Sequence, residues 1–331
     1  MDYFLTEEQQ MIVDLSRRIA QEKIKPVREH YDEKEEFPWP IVEEFAKADL
    51  CGVYIPSEYG GMGGGTFDLV LVVEELSKVD GAISLALAAT ALGTFPILLY
   101  GSEEQKRKYL PDIASGKKLA AFGLTEPSAG SDATSLKTTA TKDGDHYILN
   151  GTKCFITNGG DAEIYTVFAS TNPAKGARGI SCFIVEKGTP GFDFGKKEKK
   201  LGIRASSTRE LIFNNCRIPA SNLLAREGYG LMIAQATFDA SRPGVAAQAL
   251  GIAAGALEEA IDYARVRVQF GQPIASFQAI QHILADMATE VEAARALLYS
   301  TARMMDARKS SGQKERITKE SAMSKYYASE V

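Results

Sequence analysis

Between residues 122 and 132 the chain reads Phe122-Gly123-Leu124-Thr125-Glu126-Pro127-Ser128-Ala129-Gly130-Ser131-Asp132. This segment combines hydroxyls, carboxylates and small residues at the point where helical patterns give way to β patterns. Such a loop can offer backbone N–H groups and hydroxyls to a polar ligand, and pockets tend to form at domain boundaries. A structural turn capped by Ser and Asp side chains is at least as well supported by the residues alone. The segment therefore marks a domain boundary and a candidate binding loop.

The residues before this loop carry helical patterns up to about Ser115. Thr6 and Gln9 have the spacing of a capping box, and apolar residues follow at helical intervals. Further helical patterns cover residues 41–48 and 67–79. The first third of the chain is therefore predicted to be a helical domain.

One uncharged stretch in this part, from Gly81 to Ser102, is 22 residues long and could span a bilayer by its length. Acidic residues flank it at Asp80 and Glu103, and Pro96 lies inside it. These features favour a buried core helix with a break near the proline over a membrane span. No stable membrane insertion is expected.

After about Lys118 the pattern becomes that of a β domain. Asn150-Gly151 lies between two short apolar runs and predicts a hairpin, because Asn-Gly readily adopts the positive φ of a type I′ turn. Further β-branched and aromatic runs cover residues 164–169, 180–185 and 209–213. The middle third is therefore predicted to be a small β domain.

From about Tyr229 the chain is helical again, with patterns over 231–268 and 277–308 and a third helix from about Ile317. Consecutive blocks of one type predict a multi-domain α+β fold rather than a doubly wound sheet. The last helix keeps its apolar pattern to Val331 without a closing Gly, Pro or basic turn, which predicts an incomplete bundle in a chain truncated within a helix. The predicted domains are an N-terminal helical domain, a middle β-barrel-like domain and a C-terminal helical bundle, over residues 1–117, 118–227 and 228–331.

The composition narrows the possible partners and the compartment. A net charge of −5 argues against a nucleic-acid partner, because nucleic-acid binding surfaces carry a basic excess. The four cysteines form no CxxC motif, which favours reduced thiols in a cytoplasmic protein. The three histidines are isolated, so no histidine metal site is expected. The N-terminal residues show neither a secretory signal nor a transit segment.

Common catalytic motifs do not occur in the sequence, which has no GxSxG, no HExxH and no GKS or GKT phosphate loop. The glycine-rich stretch from Gly60 to Gly65 superficially suggests phosphate binding. It follows no buried strand, and no Lys-Ser pair closes it. An inter-helix loop is therefore the preferred interpretation.

The loop at 122–132 resembles the family signature of acyl-CoA dehydrogenases, and every position from Gly123 to Asp132 fits that pattern. The resemblance extends over the whole chain and implies the same order of domains, helical, then β, then helical. Within the family, the chain resembles the members that act on short- or medium-chain acyl groups. The other motifs that carry it are PSEYGG at 56–61, YGSEEQK at 100–106, NGTK at 150–153, ITN at 156–158 and RVQFGQPI at 267–274.

The resemblance implies FAD as the cofactor and assigns residues to the two sides of the isoalloxazine ring. Phe122, Leu124 and Thr125 match positions that contact the ring from the loop at 122–132. The segment Phe155-Ile156-Thr157 matches the other flank, with the threonine hydroxyl near flavin N5. Many members have Trp where this segment begins with Phe, and the substitution keeps an aromatic wall.

Three further positions match contacts with the CoA substrate. Ser131 matches a residue that touches both FAD and the pantetheine arm, and Asp239 and Arg242 match polar contacts to CoA. Because Pro243 follows, the helix is expected to start or kink at Arg242. From the residues alone, an N-cap role for Asp239 or Ser241 is the alternative.

A last group of residues matches contacts with the FAD of a neighbouring subunit. An arginine in this group suits a pyrophosphate, because its planar fork donates two hydrogen bonds at once. From the residues alone, a surface charge is the preferred interpretation of that arginine. The resemblance implies a homo-oligomer, commonly a dimer of dimers. The group consists of Arg267, Gln269, Phe270 and Gln278.

The implied reaction is the α,β-dehydrogenation of an acyl-CoA thioester to the trans-2-enoyl-CoA in fatty acid metabolism, with electrons passed to an electron-transfer flavoprotein. A desolvated glutamate suits removal of the α proton, because burial raises its pKa towards the working pH. Most members carry this glutamate in the C-terminal bundle, and some carry it at the position of Ser241. No catalytic residue is therefore assigned. We expect the base to lie beyond Val331 and this polypeptide to be inactive.

Other functions are compatible with the same residues. The chain could be an enoyl-CoA reductase that runs the reaction in reverse, or an inactive homologue that binds FAD and acyl-CoA. An acyl-CoA oxidase is less well supported, because those chains are usually longer. Members that act on glutaryl-CoA carry an arginine near the position of Ile83, so a dicarboxylyl substrate is disfavoured. The apolar segment at 84–92 favours a short or medium aliphatic or alicyclic acyl chain.

Overall fold

The computed structural model describes residues 3–312 and 316–331. Its α-helices are α1 Glu7–Ile19, α2 Arg28–Lys34, α3 Trp39–Lys47, α4 Thr66–Ser77, α5 Gly81–Tyr100, α6 Glu103–Ala114, α7 Gly230–Val266, α8 Gln278–Ser310 and α9 Thr318–Glu330. Its strands are β1 Ala120–Gly123, β2 Thr139–Asp143, β3 His146–Thr157, β4 Ile164–Ser170, β5 Ile180–Glu186, β6 Phe192–Lys197, β7 Thr208–Pro219, β8 Val268–Gln269 and β9 Gln272–Pro273. The chain divides into two compact units. We call residues 29–64 and 85–241 the β unit, and residues 1–28, 65–84 and 242–331 the helical unit.

The β unit is built on a mixed sheet of seven strands. The strand order is β1-β4-β2-β3-β7-β6, and β5 pairs antiparallel with β4. β1 and β2 each run parallel to β4, whereas β3 pairs antiparallel with β2 and β7. Nearly every side chain of β4 and β5 is buried, so both faces of these two strands are covered.

Helix α5 approaches β1 closely because Gly93 has no side chain. A Cβ at Gly93 would lie 2.5 Å from the backbone nitrogen of Ala121. The Thr166 hydroxyl on β4 donates to the carbonyls of both residues, at 3.2 and 3.3 Å. The buried amide of Asn158, just after β3, donates to the carbonyl of Ala120 at 3.3 Å. These contacts fix β1, which leads directly into the loop at 122–132.

The predicted hairpin at Asn150-Gly151 is wrong. Strand β3 continues through this pair, and the turn between β2 and β3 lies at Gly144-Asp145. The pairing of β3 with β7 shifts register just after Leu149. Glycine is required at position 151, because a Cβ there would lie 2.5 Å from Thr138 Oγ1. The bulge at this shift lies on β7, where Asn214 and Asn215 together face Asn150.

The two prolines inside apolar helices do not interrupt them. Helix α5 runs through Pro96, so the predicted break there is wrong. Helix α7 begins at Gly230 and runs through Pro243, so it does not start at Arg242, and the alternative of a kink there stays a prediction. A proline in a helix interior costs about 3 kcal/mol, which tertiary packing of the helix can outweigh. By length and composition alone both helices could cross a membrane, but 72% of the most apolar window of α5 is buried. That burial agrees with the core helix expected for this stretch.

The helical unit contains a buried ionic network between α1, α4 and α8. The Glu74 carboxylate on α4 accepts hydrogen bonds from Arg295 Nε and the Tyr299 hydroxyl, both at 2.9 Å. Arg17 on α1 pairs with Glu75 at 3.1 Å. The Glu74 residue is only 1% exposed, so Arg295 and Tyr299 supply the hydrogen bonds that water cannot.

Two helices of this unit begin with side-chain caps. The predicted capping box is confirmed, since Thr6 and Gln9 exchange reciprocal hydrogen bonds of 3.2 Å at the start of α1. At the start of α4, the Asp306 carboxylate accepts the N–H groups of Thr66 and Phe67 at 2.7 and 2.8 Å. A carboxylate is favourable there because it satisfies free N–H groups and faces the positive end of the helix dipole.

The order of elements confirms the predicted α+β fold class. Helices fill the chain to Ala114, the seven-stranded sheet follows, and α7–α9 complete it. The middle strands form a mixed sheet. The two boundaries between the three predicted domains, after residues 117 and 227, stay a prediction.

Candidate functional site

The loop at 122–132, which we call the signature loop, begins at the end of β1. The Phe122 ring packs on the rings of Phe168 and Phe238, with centroids 4.9 and 5.6 Å apart. Leu124 is buried, Thr125 is partly buried and exposed residues such as Ser131 follow. The loop therefore starts on a fixed aromatic cluster and ends at the surface of the β unit.

The middle of the signature loop is a closed turn. Glu126 and Ala129 exchange two backbone hydrogen bonds of 3.0 and 3.1 Å. The Glu126 carboxylate also accepts the backbone N–H groups of Lys137 and Thr138, at 2.6 and 3.0 Å. One side chain thus joins the turn to the segment that precedes β2.

Strand β3 carries a bulge opposite β7, which we call the β3 bulge. Lys153 pairs with Leu211 and Ile156 pairs with Arg209, so Cys154 and Phe155 together face one residue of β7. Phe155 has a left-handed φ of +59°, which is rare for an aromatic residue, and its side chain is 64% exposed. Bulges of this kind re-aim side chains next to functional sites.

Three hydrogen bonds join the β3 bulge to consecutive residues of the signature loop. Lys153 Nζ donates to the carbonyl of Leu124 at 3.1 Å and to the Glu126 carboxylate at 2.7 Å. The N–H of Cys154, which the bulge turns away from β7, donates to the carbonyl of Thr125 at 2.9 Å. The two segments that the sequence assigns to opposite flanks of a flavin are therefore neighbours.

The Lys153–Glu126 ion pair is buried, with the two side chains 0% and 3% exposed. Burial alone would raise the pKa of Glu126, but the Lys153 charge and the hydrogen bonds from Lys153, Thr138 and Lys137 outweigh burial and hold that pKa below its usual value. Glu126 is therefore ionised at neutral pH.

The geometry leaves polar groups that suit the flavin expected from the resemblance. The hydroxyls of Thr125 and Thr157 form no hydrogen bond with any residue that the structure describes, and both residues are partly buried. Phe155, two residues before Thr157, presents an exposed aromatic ring. The side chains of Leu124 and Ile156 lie in the core, so those two residues can offer only backbone groups. The residues present thus fit a ring that is polar at its edge and apolar on its face.

The four residues assigned to a neighbouring subunit's FAD lie in one exposed segment of the helical unit, residues 267–278, which contains the β8–β9 hairpin and ends at the first residue of α8. Phe270 and Gly271 form the turn between β8 and β9 with φ of +52° and +75°. Phe270 is 94% exposed, and Arg267, Gln269 and Gln278 are exposed as well. Such an exposed aromatic residue suits contact with another chain.

Asp239 and Arg242 lie three residues apart inside α7, so their side chains project from the same face of that helix. Both are partly buried. Ser241 is buried, and its hydroxyl donates to the carbonyl of Phe238 at 3.4 Å. An N-cap role for Asp239 or Ser241 is excluded, because α7 starts at Gly230.

A cavity of about 670 Å³ in the β unit was not anticipated from the sequence. Its lining includes three cationic side chains, Lys175, Arg178 and Arg226. The Arg226 guanidinium stacks over the Tyr229 ring at 4.0 Å. Glu227, which also lines the cavity, accepts a hydrogen bond of 2.5 Å from the Tyr147 hydroxyl. The excess of positive charge suits an anionic group.

Sequence reasoning also missed Lys153 and Glu126 as parts of the site. A lysine beside Cys154 in an apolar strand is a usable signal, because lysine is almost never fully buried without a partner. The cationic cavity gave no such signal, since its residues come from two segments that are far apart in the chain.

Family models of acyl-CoA dehydrogenases match almost the whole chain. The N-terminal domain model matches residues 6–117, the middle domain model 121–216 and the C-terminal domain model 228–331. The expectation of an inactive fragment is not supported, because the three family domains together cover the chain.

Known proteins resemble the chain in sequence and in fold. The acryloyl-CoA reductase (NADH) of Anaerotignum propionicum is 48% identical over an alignment of 332 positions, which covers 100% of this chain and 83% of that protein. Butyryl-CoA dehydrogenase from Megasphaera elsdenii superposes with a TM-score of 0.94 at 45% identity, over 100% of this chain and 86% of that chain. A third match comes from a structural study titled for the electron transferring flavoprotein of Acidaminococcus fermentans and flavin-based electron bifurcation. A chain of that structure superposes with a TM-score of 0.95 at 49% identity, over 100% of this chain and 86% of that chain. Sequence, fold and site geometry thus agree that the chain belongs to the acyl-CoA dehydrogenase family of FAD-dependent flavoprotein oxidoreductases.

Proposed function

We propose that the chain catalyses the α,β-dehydrogenation of an acyl-CoA thioester to the trans-2-enoyl-CoA and passes the electrons to an electron-transfer flavoprotein. The observation that carries the proposal is the contact between the signature loop and the β3 bulge. It places the free hydroxyls of Thr125 and Thr157 and the exposed ring of Phe155 on neighbouring segments. The structural likeness to a chain from the Acidaminococcus electron transferring flavoprotein study supports the acceptor.

FAD, when bound, supplies a ring that accepts a hydride from Cβ of the thioester. The chain's own residues bind and orient that ring. With FAD bound, Thr125 and Thr157 would donate hydrogen bonds to its polar edge, and the backbone groups of Leu124 and Ile156 would complete the two flanks. The exposed aromatic ring of Phe155 would pack on the flavin and keep water from it.

The CoA part of the substrate is held by separate groups. Ser131, Asp239 and Arg242 bind the pantetheine arm, as the resemblance implies. We assign the phosphates of the nucleotide end to the cationic cavity, because its cations can pair with them and its Tyr229 ring can stack on a base.

The assignment of the cavity is tested by comparing an acyl-CoA with the matching acyl-pantetheine, which lacks the nucleotide. Arg178→Ala is expected to raise KM for the acyl-CoA about tenfold, as expected for one lost charge-assisted contact. The KM for the acyl-pantetheine should not change. An equal rise for both substrates would contradict the assignment.

The assembly and compartment follow from the same proposal. The exposed segment at residues 267–278 binds the FAD of a neighbouring subunit, so the active form is a homo-oligomer, with a dimer of dimers as the expected state. All four cysteines are free thiols, which suits a cytoplasmic location.

The acyl chain is proposed to be short or medium in length. Two relatives with this fold are named for butyryl-CoA and acryloyl-CoA. Ile83, near the position where glutaryl-CoA members carry an arginine, is fully buried and uncharged. The acryloyl-CoA reductase relative favours a second candidate, an enoyl-CoA reductase that uses the same site in the opposite direction.

The protein as its gene encodes it provides the test. We expect it to purify yellow or to take up FAD, and butyryl-CoA should bleach the flavin absorbance and support turnover with ferrocenium as acceptor. Rapid oxidation of the chemically reduced flavin by crotonyl-CoA, with slow bleaching by butyryl-CoA, would favour the reductase. A colourless protein that takes up no FAD as an assembled oligomer would contradict both candidates.

A further inference from the structure

We propose that Lys153 and Glu126 form a positioning pair, which holds the signature loop and the β3 bulge at the separation that the flavin ring requires. The inference rests on the proposed function, because it gives two residues outside the predicted site a task towards FAD. Neither residue is expected to touch the substrate or to take part in proton transfer.

The geometry of the pair is that of a clamp between two segments. Lys153 Nζ reaches across to two oxygens of the signature loop, the Leu124 carbonyl at 3.1 Å and the Glu126 carboxylate at 2.7 Å. These two acceptors flank Thr125, whose hydroxyl is free among the described residues. The position of that hydroxyl therefore depends directly on the lysine side chain.

The same lysine begins the β3 bulge. Lys153 is the last residue paired with β7 before the register shift, and Phe155 follows with its left-handed φ of +59°. A non-glycine residue stays in this strained conformation only where its surroundings determine it fully. The hydrogen bonds from Lys153 and Cys154 to the loop are the contacts that hold the backbone on either side of the bulge.

Glu126 extends the clamp to a third segment. Its carboxylate accepts the backbone N–H groups of Lys137 and Thr138 at 2.6 and 3.0 Å in addition to the lysine. Four hydrogen bonds thus converge on two side chains that are 0% and 3% exposed. A buried polar network of this kind favours one arrangement of the segments it joins.

Stability alone does not account for an ion pair at this place. Removing two charges from water is costly, and apolar residues of similar volume often stabilise a core as well as a buried ion pair does. The pair lies where two segments with free polar groups meet, which is where an exact separation matters for a bound ring. Positioning therefore explains the pair better than stability does.

The test compares three variants of the full protein, Lys153→Met, Glu126→Gln and the double variant Lys153→Met/Glu126→Gln. Each single variant leaves one buried charge without its partner and should lose thermal stability and FAD affinity. The double variant removes both charges and should regain much of the stability. Its FAD dissociation constant should stay raised about tenfold or more, which corresponds to about 1.4 kcal/mol of binding free energy, because Leu124 and Thr125 have lost their anchor.

Further readouts separate positioning from general damage. The visible absorption bands and the midpoint potential of the bound flavin should shift in the double variant, and KM for butyryl-CoA should change less than kcat. The matched control is Lys108→Met, which removes a Lys–Glu pair of the same 2.7 Å length in the β unit, with Glu186, at 56% and 42% exposure. It should leave stability, spectrum and FAD affinity unchanged.

Each outcome decides the inference. A double variant that regains both stability and native FAD affinity overturns it, and so does a double variant that fails to fold, since the pair would then be structural. A wild-type protein that takes up no FAD refutes the proposed function and the inference together. A wild-type protein that binds FAD while the double variant binds it equally well refutes the inference alone.

Discussion

Single residues govern the stability of the helical unit, and Arg295 is a clear example. Its Nε bonds the Glu74 carboxylate at 2.9 Å, and the Glu74 side chain is only 2% exposed. Arg295→Met should lower the free energy of unfolding by about 3–5 kcal/mol, because it leaves a buried carboxylate without its cation. Urea unfolding of the purified variant measures the loss. Arg265→Met, which removes an exposed pair with Asp262, is the control and should cost less than about 1 kcal/mol.

The pH dependence of stability should report the charge on Glu126. Its pKa lies below the ordinary value of 4.5, since the Lys153 charge and three hydrogen bonds outweigh the effect of burial. A lowered folded-state pKa means that the carboxylate contributes its full stabilisation above pH 4.5 and loses it as the pH falls through the folded-state value.

Glu126→Gln removes this titration and tests the sign. The difference in unfolding free energy between wild type and variant should be constant around neutral pH and shrink below about pH 4.5. Urea unfolding at a series of pH values measures it. A difference that grows on acidification would show that the folded-state pKa is raised and would refute the assignment.

Sequence reasoning at this scale could name residues but not conformations. The signature loop identified Thr125, and the capping box at Thr6 followed from local spacing alone. The left-handed φ of Phe155 could not be predicted from the sequence. Only glycine and, to a lesser degree, asparagine or aspartate commonly adopt that conformation, so an aromatic residue does not indicate it. The partnership of Lys153 with Glu126 required the pairing of distant segments, which periodicity does not reveal.

Among the elements, helix α7 packs closely against the backbone of residues 74–78, and glycines on α7 make this close contact possible. A Cβ at Gly255 would lie 2.0 Å from the carbonyl oxygen of Lys78, and a Cβ at Gly251 would lie 2.5 Å from that of Glu74. Gly255→Ala should therefore force the backbones apart and cost about 1–3 kcal/mol of unfolding free energy, as overpacking does.

Gly244→Ala is the control on the same helix. No heavy atom lies within 4 Å of a Cβ at this position, so the substitution should be neutral or stabilise by up to about 1 kcal/mol through helix propensity. Thermal unfolding of both variants measures the contrast. Equal destabilisation of the two variants would mean that any added methyl on α7 is harmful and that close packing at Gly255 is not the cause.

The sequence located most elements but misjudged what interrupts them. Apolar periodicity placed α7 and α8 within a few residues of their observed ends, since long amphipathic patterns leave little choice. Local rules favour a break at Pro96 and a turn at Asn150-Gly151. Burial of α5 and the pairing of β3 on both edges outweigh those local preferences.

At the scale of the whole molecule, the fold class followed from the block order of helical and β patterns, and the family signature made it specific. From the sequence, only those site residues that belong to contiguous motifs could be predicted. The cationic cavity could not, because Arg178 and Arg226 become neighbours only through the packing of β5 and the segment after β7.

If the segment at residues 267–278 completes the FAD site of a neighbouring subunit, as proposed, FAD binding depends on assembly. The apparent FAD affinity should then fall on dilution below the subunit dissociation constant, because ligand binding and assembly are linked. Phe270→Ser should move this fall to higher protein concentration, since Phe270 is 94% exposed on the single chain and would be buried in the oligomer. Analytical ultracentrifugation with parallel flavin absorbance measures both. Leu201→Ser, at another fully exposed apolar residue, is the control. An FAD affinity that is independent of dilution in both proteins would place the whole cofactor site within one chain.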